Sequence, residues 1–173
     1  MVSTVAYPSF AEKVGQPLAK RSIRVLQVNV GRRCNQACTH CHVEAGPHRT
    51  ETMSPGVTAQ VVAAIRQFPQ IATVDLTGGA PELHEAFRPL VRAAREAGKE
   101  TIVRSNLTVY FVPGCEDIPE FCAQWGVRIV ASLPCYLEDG VERQRGRGTY
   151  EASIRALQHL NALGYGDTLP LDR

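Results

Sequence analysis

The chain has 173 residues, 44% of them hydrophobic and 21% charged, and a net charge of +2. That suits one globular domain with a real core, and its near-neutral balance gives no electrostatic reason to expect nucleic acid. No apolar run approaches the ~18 residues that cross a bilayer, so no membrane partner is expected either.

The opening stretch, MVSTVAYPSFAEKVGQPLAKRS, has neither a basic start nor an apolar core of the secretory kind, so the expected location is cytoplasmic. The six cysteines are then expected as thiols rather than structural disulfides.

In chain order, residues 1–22 read as an N-terminal extension. Four apolar runs follow: IRVLQVNV (23–30), IATVDLT (71–77), ETIVRSN (100–106) and VRIVASL (127–133). None alternates cleanly, which predicts strands of a parallel sheet buried on both faces. Helical stripes lie between them. Ser54 caps the first and Pro55 opens it, with Val57, Val61, Ile65 and Phe68 on one side. Leu83, Phe87, Leu90, Val91 and Ala94 make the second, stopped by Gly98. Ile118, Phe121, Cys122 and Trp125 make the third, closed by Gly126, and Tyr150, Ile154, Leu157 and Leu160 the fourth, closed by Gly164. Between strand four and that last stripe, residues 142–148 (ERQRGRG) read as a basic loop, more a solvated surface than an anion site.

This order predicts an α/β fold of about four right-handed βα units over residues 23–166. Four units do not close a barrel alone, so half of something larger, an open sheet and a truncated chain are the open readings, with residues 167–173 a divergent tail too short and polar for a fifth strand.

The first unit is the long one, because residues 31–53 separate its strand from its helix. Such a loop inside a compact domain is usually functional, and it leaves the strand at its C-terminal end, where α/β folds build sites. It carries Cys34, Cys38 and Cys41 in the stretch CNQACTHC. Structural zinc needs a fourth ligand, and His40 and His42 directly adjoin cysteines, a poor arrangement for one ion. Residues 38–42 also match the C-x-x-C-H pattern of covalent haem, but that leaves Cys34 unused and normally follows export. Plain packing of thiols is weak here because the loop is polar. A four-iron cube normally takes four thiolates, so three leave one iron open to an outside chelate.

Cys34-x₃-Cys38-x₂-Cys41 resembles the signature of the radical SAM enzymes. Thr77-Gly78-Gly79-Ala80-Pro81-Glu82, directly after strand two, resembles that family's glycine-rich segment, with Ala80-Pro81-Glu82 in place of the usual residues after the glycines. LQVNVGRRCNQACTHCHVEAGPHRTETM and IVASLPCYLEDGVERQRGRGTYEASIRALQHLNALGYG are similar to arsenosugar-biosynthesis members, from about Phe10 to Gly166.

The resemblance implies a partial (βα) barrel of the radical SAM type. It implies a [4Fe-4S] cluster on Cys34, Cys38 and Cys41, with S-adenosylmethionine on the open iron. Reductive cleavage to a 5′-deoxyadenosyl radical would follow, with adenosyl transfer to a methylated arsenical as the finer expectation. Thr77, Gly78, Gly79 and Glu82 would then meet the cofactor's methionine end, the glycines clearing room for it, and His40 its adenine. His40 as a plain exposed loop residue is the alternative.

Ser105 and Asn106 close strand three and Ser132 closes strand four, in reach of the ribose or carboxylate; Asn106 as a simple turn support is an equal reading. Gln27 and Asn29 are expected to face the barrel interior, with Asn29 as a buried hydrogen-bond partner the alternative. Cys135, in Pro134-Cys135-Tyr136, is the catalytic candidate on the substrate side, a soft sulfur for soft trivalent arsenic. Cys115 is expected as a further exposed thiol and Cys122 in the core. Partners implied are a small-molecule substrate, a reductant such as flavodoxin or ferredoxin, and a second chain completing the barrel. A non-catalytic electron-transfer module, a truncated pseudoenzyme and a zinc domain stay open as alternatives.

Overall fold

The computed structural model describes residues 7–17 and 21–166, so the tail at 167–173 lies outside them. The strands are β1 (Val25–Asn29), β2 (Thr73–Thr77), β3 (Glu100–Ser105) and β4 (Arg128–Ala131). The helices are α1 (Phe10–Val14), α2 (Pro55–Gln67), α3 (Phe87–Glu96), α4 (Ile118–Gln124), α5 (Glu138–Arg145) and α6 (Thr149–Ala162). Short 3₁₀ turns span Pro81–Leu83 and Thr108–Phe111. The sheet runs β1-β2-β3-β4, parallel throughout, so the predicted βα rhythm and incomplete barrel stand. Among the described residues no helix is long and apolar enough to cross a membrane.

Local signals explain the element ends. Ser54 accepts from Val57 N, and Pro55 opens α2 where a missing N–H costs nothing. Two elements escaped the sequence pattern. The short helix α1 is held by a capping box between Ser9 and Glu12 and buries nothing, so no stripe announces it. Helix α5 occupies most of the stretch read as a basic loop; Val141 is its one buried residue, too little for a visible periodicity. Leu83 belongs to the 3₁₀ turn rather than to α3, which begins at Phe87.

The expectation that the strands are buried on both faces holds at β2, whose Thr73 and Asp75 are buried as well as Val74 and Leu76, and fails at the edge strands β1 and β4. Register aligns Gln27 with Asp75, Asp75 with Ile102 and Ile102 with Arg128. With Thr73, Glu100 and Arg104 these side chains share one face, because strand side chains alternate. That face carries ion pairs from Arg104 to Asp75 (2.8 Å) and Arg128 to Glu100 (3.0 Å). The other face, with Val28, Val74, Leu76 and Val103, packs into the core beside Ile65, Phe87, Leu90, Val91 and Ile118. Each such large side chain contributes about 1.5–3 kcal/mol on burial. β1 and β4 are the sheet's edges, and Val25 (53%) and Val130 (38%) stay exposed on the uncovered face. An apolar run cannot say which of its faces finds a cover.

Candidate functional site

The cysteine loop leaves the end of β1 and folds back on itself. Arg32 N donates to Glu51 O, Met53 N to Val30 O, Gly46 N to Arg32 O and Cys34 N to Gly46 O, at 2.9–3.2 Å. The loop is also stitched to the end of β2: Gly79 N donates to Gly31 O and Ala80 N to Arg33 O, both at 2.9 Å. The glycines are therefore needed for a backbone crossing. A Cβ on Gly79 would sit 2.7 Å from Arg33 C and 2.9 Å from Arg32 O, and closer still to Arg33 O. The close crossing adds a structural reason for the glycines: the two motifs form one strapped unit. His84 adds a second tie. Its Nδ1 accepts from Ala86 N, so its Nε2 carries the proton and donates to Met53 O at 3.2 Å.

Within the loop, Cys41 N donates to Cys38 O at 3.2 Å, closing a turn that carries both residues. Cys34 is buried, and Cys38 and Cys41 are half-buried. Cys34 Sγ receives Gln36 N and Asn106 Nδ2, each at 3.4 Å, and Cys41 Sγ receives Ala45 N at 3.3 Å. Cys38 Sγ donates to Gln36 Oε1 at 3.3 Å. Burial pushes the Cys34 and Cys38 thiols up, and the nearby Arg145 guanidinium pulls Cys38 back. Among the described residues no three His, Cys, Asp or Glu side chains converge as ligands of one metal ion. A multi-iron cluster does not ask that of them, since each thiolate sits on a different iron.

The other predicted residues divide. His40 is exposed on the turn. Thr77 and Gly78 are half-buried beside the loop, and Thr77 O accepts from Val30 N. Asn29 does not serve as a buried hydrogen-bond partner: it is exposed and accepts from Gly31 N at its own strand end. Ser105 is fully buried on the helix-covered side, where its Oγ accepts from Leu107 N rather than facing the rim. Asn106 supports its turn and also reaches Cys34. Cys135 Sγ accepts from Leu137 N at 3.4 Å and lies over Gly140 at the start of α5. Cys115 is 5% exposed, which corrects its reading as a surface thiol, and Cys122 lies in the core as expected.

Glu82 does not point to the rim. It is 5% exposed, and neither carboxylate oxygen has a hydrogen-bond partner of normal geometry. Burial pushes its carboxyl up to about 7, with the Ser105 hydroxyl and its own backbone pulling down. Its neighbours Tyr110, Cys115 and Cys122 are raised by burial too, so nothing close by offsets an ionised carboxylate. Above the ordinary carboxylate range the unfolded chain releases a proton that the folded chain keeps until about pH 7. Stability is therefore full below that window, falls across it, and levels off above. Glu82→Gln is expected to remove most of this slope, stabilising the protein at pH 8 relative to pH 5 by up to about 3 kcal/mol in urea unfolding.

Arg145 is the residue the sequence reading missed most clearly. Its guanidinium donates to Ser132 O and Ser132 Oγ, and its Nε is buried without a partner. Thr39 N donates to Gln144 O at 3.0 Å, which clasps the cysteine loop to the end of α5. A charge run read as solvated thus brings one cation beside Cys38, with Ser132 as its anchor.

Comparison with known proteins gives a family and a fold. The sequence model of the Radical SAM superfamily matches residues 28–171. The AdoMet-dependent heme synthase of Oleidesulfovibrio alaskensis is 27% identical over 143 residues, 82% of this chain and 36% of its own length. The mycofactocin maturase MftC of Mycolicibacterium smegmatis is 24% identical over 139 residues, covering 78% and 33%. The chain thus spans about a third of the length of these curated relatives. Among solved structures, anSMEcpe with bound AdoMet superposes with a TM-score of 0.65 at 18% identity, over 82% of this chain and 41% of that one. Streptococcus suis SuiB bound to S-adenosylmethionine gives 0.65 at 15%, over 83% and 32%.

Proposed function

The chain belongs to the radical SAM superfamily, and from that premise we propose that Cys34, Cys38 and Cys41 hold a [4Fe-4S] cluster whose open iron takes S-adenosylmethionine. The observation that carries this reading is the strap: the loop bearing three thiols is hydrogen-bonded through Gly31 and Arg33 to Gly79 and Ala80. The donor set fits the group. Three soft thiols sit together in one loop, and N–H groups already aim at two of the sulfurs, as a thiolate needs. When bound, the reduced cluster and S-adenosylmethionine supply the 5′-deoxyadenosyl radical.

The protein's part is to hold and orient. The strap fixes the loop against β2, and Gly78 and Gly79, at its crossing, would meet the cofactor's methionine end. Arg145 brings a cation beside Cys38, and a partnerless buried Nε–H suits the carboxylate of S-adenosylmethionine. Ser132 holds that guanidinium in place, and His40 would flank the adenine. The finer reading is adenosyl transfer to a methylated trivalent arsenical, with Cys135 on the substrate side; its half-buried sulfur beyond the end of β4 supports this. The uncovered sheet face is where further strands, from a second chain among other sources, would enclose a substrate. An acidic one-electron donor of the flavodoxin or ferredoxin kind completes the system.

Anaerobic reconstitution with iron and sulfide, then reduction with S-adenosylmethionine, tests the reading. The expected product is 5′-deoxyadenosine, and with a dimethylated trivalent arsenical an adenosyl–arsenic adduct visible by mass. Cleavage without the adduct removes the arsenical. A redox-active cluster without cleavage favours an electron-transfer module or pseudoenzyme, and a colourless protein holding one zinc overturns the cluster.

A further inference from the structure

One side chain outside the cysteine loop donates to a cysteine sulfur. Asn106, at the end of β3, is 9% exposed, and its Nδ2 lies 3.4 Å from Cys34 Sγ and 2.7 Å from Asn35 Oδ1. The amide's orientation is fixed by its other end. Val109 N donates to Asn106 Oδ1 at 3.0 Å, so that atom must be the oxygen and both N–H bonds must turn toward the loop.

Thr108 completes the circuit. Its hydroxyl donates to Asn106 Oδ1 and accepts from Asn35 Nδ2 and Gln36 Nε2, at 3.3, 2.9 and 2.8 Å. One donor and two acceptor positions are all used. Between Asn106 and Thr108, Leu107 is fully buried at φ 70°, a left-handed backbone that a branched residue adopts only where its surroundings over-determine it.

We infer that Asn106, locked by Thr108, is a positioning residue that sets the reduction potential of the cluster through its N–H bond to Cys34. The inference rests on the cluster reading above and deepens it. Reduction adds negative charge to the sulfurs, and an N–H dipole aimed at sulfur stabilises the reduced form more than the oxidised. Cys34 has two such donors, Cys41 has one, and Cys38 faces an amide oxygen instead. The donors from Gln36 and Ala45 are backbone, so Asn106 is the one of the three that a substitution removes.

An EPR-monitored redox titration of the reconstituted chain tests this. Asn106→Asp keeps the oxygen that caps Val109 N but replaces the donor to Cys34 by an acceptor. At the wild-type midpoint its ratio of reduced to oxidised cluster is expected to fall about tenfold, a downward shift of about 59 mV for one electron. Thr108→Val leaves the amide present but loosened, with a fall of about two- to threefold. Unmoved midpoints in both cluster-bearing variants overturn the inference. If Asn106→Asp takes up no cluster, Thr108→Val decides alone, and failure of both to load makes the network loop architecture only, which also overturns it. The wild type run in parallel separates the two levels. No cluster there refutes the cluster reading itself, whereas a cluster there with unmoved variants refutes only the role of Asn106.

Discussion

Cys38→Ala is expected to abolish cluster retention, with cleavage of S-adenosylmethionine falling at least about a hundredfold, while the fold stays within about 1 kcal/mol of wild type. The asymmetry follows from where the residue lies. Cys38 is half-buried on a turn and touches Gln36, with Arg145 near it. None of these contacts belongs to the core. Removing the thiol leaves two sulfurs for a group that needs three. Cys122→Ala is the opposite case. That thiol is fully buried and pushed up to about 12 by burial. Its loss is expected to cost about 1–2 kcal/mol as a small cavity, with iron content unchanged. Iron and sulfide analysis alongside thermal unfolding separates the pair. Equal loss of iron in both variants would remove the distinction between ligand and packing cysteines.

What the sequence shows of this site is what lies close together along the chain. Three cysteines in eight residues and two adjacent glycines are short-range patterns, and the long loop after the first strand is a matter of counting. The parallel strands are legible for the same reason, since each is one apolar run. What the sequence hides is orientation and long-range pairing. Glu82 stands three residues after Gly79, and a linear motif assigns it to the cofactor, yet the 3₁₀ turn at Pro81–Leu83 rotates it into the core beside Tyr110 and Cys122. Ser105 and Asn106 are neighbours in sequence with different partners: Ser105 Oγ accepts from Leu107 N, while Asn106, just past the end of β3, reaches Cys34. Arg145 looks like one arginine of a surface run; only the fold of α5 across the end of β4 brings it over Ser132. Asn106 lies 72 residues from Cys34, and no local pattern joins them.

The same distinction between local pattern and folded contact gives Gly79→Ala its expected effect. If the glycine only made room for a ligand, the cluster-free protein would tolerate a methyl group there. The strap forbids it. The added carbon would meet backbone atoms of Arg32 and Arg33, and backbone cannot turn aside as a side chain does. Both neighbouring hydrogen bonds, Gly79 N to Gly31 O and Ala80 N to Arg33 O, would have to open. The expected cost is about 3 kcal/mol or more, from overpacking and two lost backbone bonds. For a chain of this size that lowers the melting temperature by about 6–12 °C, already in the cluster-free form. The displaced loop carries Cys34 with it, so cluster loading is expected to fail as well. Gly98→Ala is the control. Its φ is 70°, but nothing lies within 4 Å of the added carbon. It should cost about 1–2 kcal/mol from backbone conformation and leave loading intact. A cluster-free Gly79→Ala protein that melts with the wild type would return the glycine to the role of ligand clearance and break the link between the two motifs.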